Sequence, residues 1–199
     1  VEHKDESLVR EVMLPMLGRP CWGVPQRWGS SLIFEFGEPH LQIHEPLYIR
    51  DRARYQPSDN PKVDKMRRRR LVNPVGQWHL WLHMCGWRIS QENREVAHSE
   101  SDRAVIATVL NDHVGGRILE EVILDSANGT SAFLFEDDVN IDTRPIESGH
   151  EQVHVFKESG SVFVYRGDGA FWYGPATTKP NQMEWWRSDV TSPICRFHA

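Results

Sequence analysis

Two histidines and a thiol alternate along His79-x-Trp81-x-His83-x-Cys85, and these are ligand types that Zn²⁺ prefers. On an extended strand they share one side, but residues i and i+4 stand roughly 13 Å apart at the strand rise, too far for all three to reach one ion. A metal would need a ligand from a neighbouring strand, for instance His154 if the two halves of the chain pair. The plainer alternative is a set of hydrogen-bonded core histidines. His79, His83 and His154 are thus the candidates for catalysis in a histidine-lined cleft. A second group, His40, His44 and Glu45, has the makings of a metal triad or an acid–base pair. Its alternating pattern spreads the histidines along one strand face, and a solvent-facing polar row accounts for them equally well.

Glu136, Asp137 and Asp138, with Asp142 nearby, carry the oxygen ligands that Ca²⁺ or Mg²⁺ takes. They lie in a turn, however, where Asp is favoured because its side chain bonds the local backbone, and the EF-hand spacing is absent. The last group is basic. Lys65 and Arg67, Arg68, Arg69 and Arg70 stand almost together, with Arg50, Arg52 and Arg54 upstream. Guanidinium groups recognise phosphates by paired hydrogen bonds, so this run suits a phosphate-bearing or acidic ligand, nucleic acid included; a solvated loop is the bland reading. Walker A, GxGxxG, GxSxG, HExxH and zinc-finger spacings are missing, and no cofactor is expected. The Arg166-Gly167-Asp168 triplet reads as a short turn without an adhesive role.

The elements that must position these groups read as mainly β. Gly115 to Pro145 spells three consecutive strands and resembles Leu17 to Pro46: Gly18-Arg19 aligns with Gly116-Arg117, Phe34-x-Phe36 with Phe133-x-Phe135, and Leu41-x-Ile43 with Val139-x-Ile141. A period near half the chain points to a duplicated β unit rather than a solenoid. The halves run about 17–90 and 114–173. Residues 4–13 form a short amphipathic helix ended by Pro15, and Leu41 and Ile43 point inward while His40, Gln42 and His44 point outward. Residues 47–75 are a long basic loop. Gln77 to Ile89 is a central strand covered on both sides with a turn at Gly86, and Ser99 to Leu110 is a capped helix bridging the halves. Asn128-Gly129 marks a hairpin, and turns then recur to Tyr173. Residues 175–199 are an irregular tail that packs through Trp185 and Trp186.

The expected fold is therefore a single domain, an antiparallel sandwich or barrel-like structure of about ten short strands with tryptophans as core anchors. At 199 residues the chain can bury a real core. Its three cysteines lack CxxC spacing and cannot all pair, which favours a reducing compartment. No apolar run approaches the roughly 18–20 residues of a membrane helix, and the amino end is too polar for a signal peptide, so a cytoplasmic location without membrane contact is expected. The net charge of −5 argues mildly against non-specific nucleic-acid binding and permits a basic partner.

LGRPCWGV at 17–24, LIFEFGEPHLQIHEP at 32–46 and QWHLW at 77–81 resemble sequences of a group of small uncharacterised bacterial proteins. That resemblance implies a bacterial origin and a β-rich domain, and brings no activity, cofactor or catalytic residue with it. The expectation is a binding or interaction protein whose partner is another protein, such as a toxin or defence component. The alternatives are an enzyme or nucleotide-binding domain using the histidine cleft, and nucleic-acid binding through Arg67–Arg70.

Overall fold

The computed structural model describes residues 4–25, 29–46, 56, 58–187 and 194–199; Trp28 and the arginines at 50, 52 and 54 lie outside them. The chain divides into two compact units, residues 1–38 with 76–199, and residues 39–75. The larger unit opens with α1 (Lys4–Met13), where Val9, Val12, Met13 and Met16 recur at helical spacing and are all buried. Pro15 closes it in a 3₁₀ turn.

Two six-stranded antiparallel sheets follow. The first runs in the order β1 (Cys21–Gly23), β2 (Leu32–Phe36), β5 (Trp78–Leu82), β11 (Glu151–Lys157), β12 (Ser161–Arg166) and β13 (Phe171–Pro175). The second runs β14 (Ile194–His198), β8 (Leu119–Asp125), β9 (Thr130–Phe135), β10 (Val139–Pro145), β6 (Cys85–Gln91) and β7 (Arg94–His98). The architecture is mainly β and sandwich-like, and it is not a closed barrel. Alternate residues of both sheets meet in one apolar core: Phe34 and Phe36 of β2 lie 6.3 and 6.5 Å from Phe135 of β9, ring to ring. No helix among the described residues is long and apolar enough to cross a membrane.

Several local expectations are corrected. Phenylalanines rather than tryptophans anchor the core: among the described tryptophans only Trp87 and Trp172 are buried, while Trp22 and Trp186 are exposed. An indole N–H needs a partner, and Trp87 finds the Ser30 carbonyl at 2.6 Å. The turn expected at Gly86 comes earlier. Strand β5 stops at Leu82, Met84 takes a positive φ of 52°, and the chain passes to the second sheet at Cys85. Asn128-Gly129 occupies the end of a four-residue turn in which Gly129 alone has positive φ.

The helix expected over 99–110 runs only from Arg103 to Val109 (α3) and continues as a π turn to Val114. Ser101 does not extend it, because its hydroxyl accepts the His98 N–H at 2.9 Å. The helix connects β7 to β8, which belong to the same sheet. Segments aligned in the repeat do meet, Pro20 with Ile118 and β5 with β11. Their sheet membership differs, however: β2 and β5 share a sheet whereas β9 and β11 do not. The tail is not wholly irregular either, for β14 pairs with β8 along the edge of the second sheet. Its tryptophans do pack: Trp186 meets Phe171 at 5.9 Å and Trp185 lies under the Arg166 guanidinium at 4.6 Å.

The smaller unit, residues 39–75, is a hairpin of β3 (His40–His44) and β4 (Leu71–Val75) with the helix α2 (Pro61–Arg67) between them. The span expected as one loop thus contains a helix and a strand. Asn60 caps α2 by accepting the Lys62 N–H at 3.0 Å, and Pro61 occupies the first turn, where its missing N–H costs nothing. The inward placement of Leu41 and Ile43 is overturned. Both are exposed, at 66% and 47%.

Candidate functional site

The outer face of the first sheet carries the histidines. On β5, Leu80 and Leu82 face the core and are fully buried, so His79 and Trp81 point the other way. Strand β11 lies beside it with His154 opposite Trp81 and Phe156 opposite His79. The seam between these strands brings His83 to His154 from 71 residues away, with Nε2 to Nε2 at 3.0 Å. Glu151 joins them, its Oε2 at 3.3 Å from His154 Nε2, and the three ligand atoms all lie within 4.8 Å of one another.

A β-bulge makes this possible. In a regular strand residues i and i+3 point to opposite faces, which would keep Glu151 away from His154. Here Glu151 pairs with Arg166 and Val153 with Tyr165, leaving Gln152 as the extra residue. One extra residue shifts the alternation and turns both side chains to the same side. Trp81 stacks on His83 at 4.2 Å and 15°, and Phe156 stacks on His154 at 5.8 Å, so aromatic rings flank both imidazoles.

This setting fixes the charge of the pair. Burial pushes His154 down to about 3, with the neighbouring His83 adding to the effect. Burial also lowers His83, helped by His150. Both shifts favour the neutral form, so the pair is neutral near pH 7. The sign for stability follows. The unfolded chain takes up a proton near the ordinary imidazole value of 6.5, whereas the folded chain does so only near 3. The contribution is complete above about pH 6.5 and is lost as pH falls toward 3, at up to about 1.4 kcal/mol per pH unit for one proton. Unfolding free energies from urea titration of chelator-treated protein are expected to hold steady from pH 7.5 to about 6.5 and to fall from there to pH 4.5, and a His154→Phe variant to flatten that fall.

His79 belongs to a different cluster. Its Nδ1 meets Glu35 Oε1 at 2.7 Å, while Glu35 Oε2 accepts the Gly76 N–H at 2.8 Å. The structure therefore separates His79 from His83 and joins His83 to His154. All three histidines lie along the seam where β5, from the first half of the chain, pairs with β11, from the second. Neither Glu35 nor Glu151 stands out in the sequence: Glu35 sits between two core phenylalanines, and Glu151 has the wrong spacing without its bulge.

The other candidates are local. His44 Nε2 meets Gln42 Oε1 at 2.9 Å, and His40 Nδ1 has no partner among the described residues; the structure does not join the two to Glu45, which pairs instead with Arg70 at 2.9 Å. Asp137 and Asp138 both take positive φ, 59° and 55°, as the centre of a tight turn between β9 and β10. Glu136 accepts the Ile118 N–H at 3.1 Å, Asp137 faces Arg117 at 3.3 Å, and Asp142 pairs with Arg88 at 2.8 Å. That group serves the turn and its neighbours. Among the basic residues, Arg68 pairs with Asp64 at 2.8 Å and Arg67 donates to the Gln56 carbonyl at 3.3 Å, while Arg69 has no side-chain partner among the described residues.

No protein family, curated protein or solved structure matches this chain. Function is therefore argued from the sites. Cys21 and Cys85 are buried thiols, each pushed up to about 12 by desolvation, and they are inert at neutral pH. A cavity of about 470 Å³ on the second sheet, lined by Trp87, Arg88, Glu95, His98 and Asp142 among others, holds the Arg88–Asp142 ion pair.

Proposed function

We propose that this chain is a binding protein whose residues 39–75 engage an acidic protein surface. The observation that supports this is an exposed apolar face on a basic unit. In the β3–β4 register Leu41 stands opposite Pro74 and Ile43 opposite Val72. Side chains directly opposite share a face, and these four are all exposed. Val63 and Met66 of α2 are exposed as well. A two-stranded hairpin with an uncovered apolar face is marginal in water on its own, and such patches mark interaction sites.

Charge selects the class of partner. The described part of the unit holds six basic side chains, Lys62, Lys65 and Arg67–Arg70, against three acidic ones, Glu45, Asp59 and Asp64. The whole chain, by contrast, carries −5. An acidic surface bearing apolar side chains complements both features and would be steered onto the unit by its field.

The test compares wild type with two variants, Ile43→Asp/Val72→Asp and Arg67→Glu/Arg69→Glu, each first shown to be folded by circular dichroism. An acidic partner captured by wild type is reconstituted as a purified pair, and its Kd is measured against salt. Loss of binding in both variants, with Kd rising as salt is added, supports the reading. A self-associating chain, or a partner retained by both variants, sinks it.

A further inference from the structure

We infer that His83, Glu151 and His154 form a binding site for one divalent first-row transition cation of the Zn²⁺ class. The site lies on the larger unit and does not depend on the reading of residues 39–75.

The distances suit that ion. Ligand atoms held about 2.0–2.1 Å from a tetrahedral Zn²⁺ stand roughly 3.3 Å from one another. The two contacts on His154 Nε2 are 3.0 Å to His83 Nε2 and 3.3 Å to Glu151 Oε2. Glu151 is a third exposed at its side chain, so its carboxylate can close the remaining edge, now within 4.8 Å.

Protons serve these atoms poorly. A neutral His154 Nε2 has at most one proton for two close contacts: when it accepts from His83 it faces an acceptor on Glu151, and when it donates it shares one hydrogen between Glu151 Oε2 and His83 Nε2. A cation satisfies all three atoms at once. Two imidazoles and a carboxylate select the borderline metals over Mg²⁺ and Ca²⁺, which take oxygen ligands.

The supporting shell is built as metal sites require. The bulge at Gln152 turns Glu151 and His154 to one side, and backbone pairing of His83 N–H to the Gln152 carbonyl at 3.0 Å fixes the third ligand to the same point of β11. Trp81 and Phe156 restrict the ring orientations. Three protein ligands leave a fourth position for water or an incoming oxygen or nitrogen donor.

The test is titration of chelator-stripped protein with Zn²⁺ against a chromophoric chelator, and with Co²⁺ followed by its visible d–d bands. One ion per chain with the bands of four-coordinate Co²⁺ is expected. Affinity should fall at least 100-fold in His154→Ala and at least 10-fold in Glu151→Gln, while His44→Ala leaves it unchanged. Glu151→Gln keeps the shape of a side chain that is a third exposed, so it reports even if the buried His154→Ala variant does not fold. At equal Zn²⁺ concentration the melting temperature should also rise more in wild type than in Glu151→Gln. Absence of stoichiometric binding, or binding untouched by Glu151→Gln, would overturn the assignment.

Discussion

His79→Ala is expected to destabilise the larger unit by about 3–5 kcal/mol, the cost of leaving a buried charge without its partner. Glu35 is 2% exposed. It stands directly opposite His79 in the β2–β5 ladder, so its side chain leaves the core on the sheet's outer face while Phe34 and Phe36 on either side enter it. Two contacts hold it there, His79 Nδ1 at 2.7 Å and the Gly76 N–H at 2.8 Å. Removing the imidazole leaves one donor for a desolvated carboxylate. Glu35→Gln should be milder, about 1 kcal/mol, because its amide still accepts from Gly76 and can donate to His79. Urea unfolding of the three proteins checks the order. A His79→Ala midpoint indistinguishable from that of wild type would mean that the pair does not hold these strands together.

What the sequence reveals, and what it conceals, divides along physical lines. Period-two alternation within Gln77–Ile89 and the run from Ile118 to Tyr173 exposes the antiparallel β class, because side-chain period is a local property. Strand β7 goes unseen, since its hairpin turns on Glu92-Asn93, both at positive φ, and that pair carries no glycine signal. The sequence offers His154 as the ligand that a neighbouring strand brings to His83. That pairing needs only that β5 and β11 be adjacent. Glu151 is hidden because a bulge changes facing without changing composition. Likewise Leu41 and Ile43 alternate as a core strand would; their pattern marks an apolar face and cannot say whether that face is covered.

Gly129→Ala is expected to cost about 3 kcal/mol or more, from two independent sources. The first is backbone: Gly129 has φ +63°, where an L residue costs about 1–2 kcal/mol. The second is contact. A Cβ at Gly129 would overlap the Gly167 carbonyl oxygen, and one at Gly169 would overlap the Ser126 carbonyl oxygen. Thus the β8–β9 turn of one sheet and the β12–β13 turn of the other interlock through glycines. Polar contacts secure the same corner: Tyr165 donates its hydroxyl to the Asp125 carbonyl at 2.7 Å, and Arg166 and Arg187 both reach Asp168, at 2.8 and 2.7 Å. Carbonyl oxygens in a turn cannot swing aside as a long side chain would, so the backbone of one turn must move. Gly160→Ala separates the two sources. Gly160 has φ +83°, and a Cβ there meets nothing within 4 Å, so its substitution carries the backbone cost alone. The excess of Gly129→Ala over Gly160→Ala in urea unfolding measures the interlock of the two sheets. Equal losses would mean that the two turns do not hold each other.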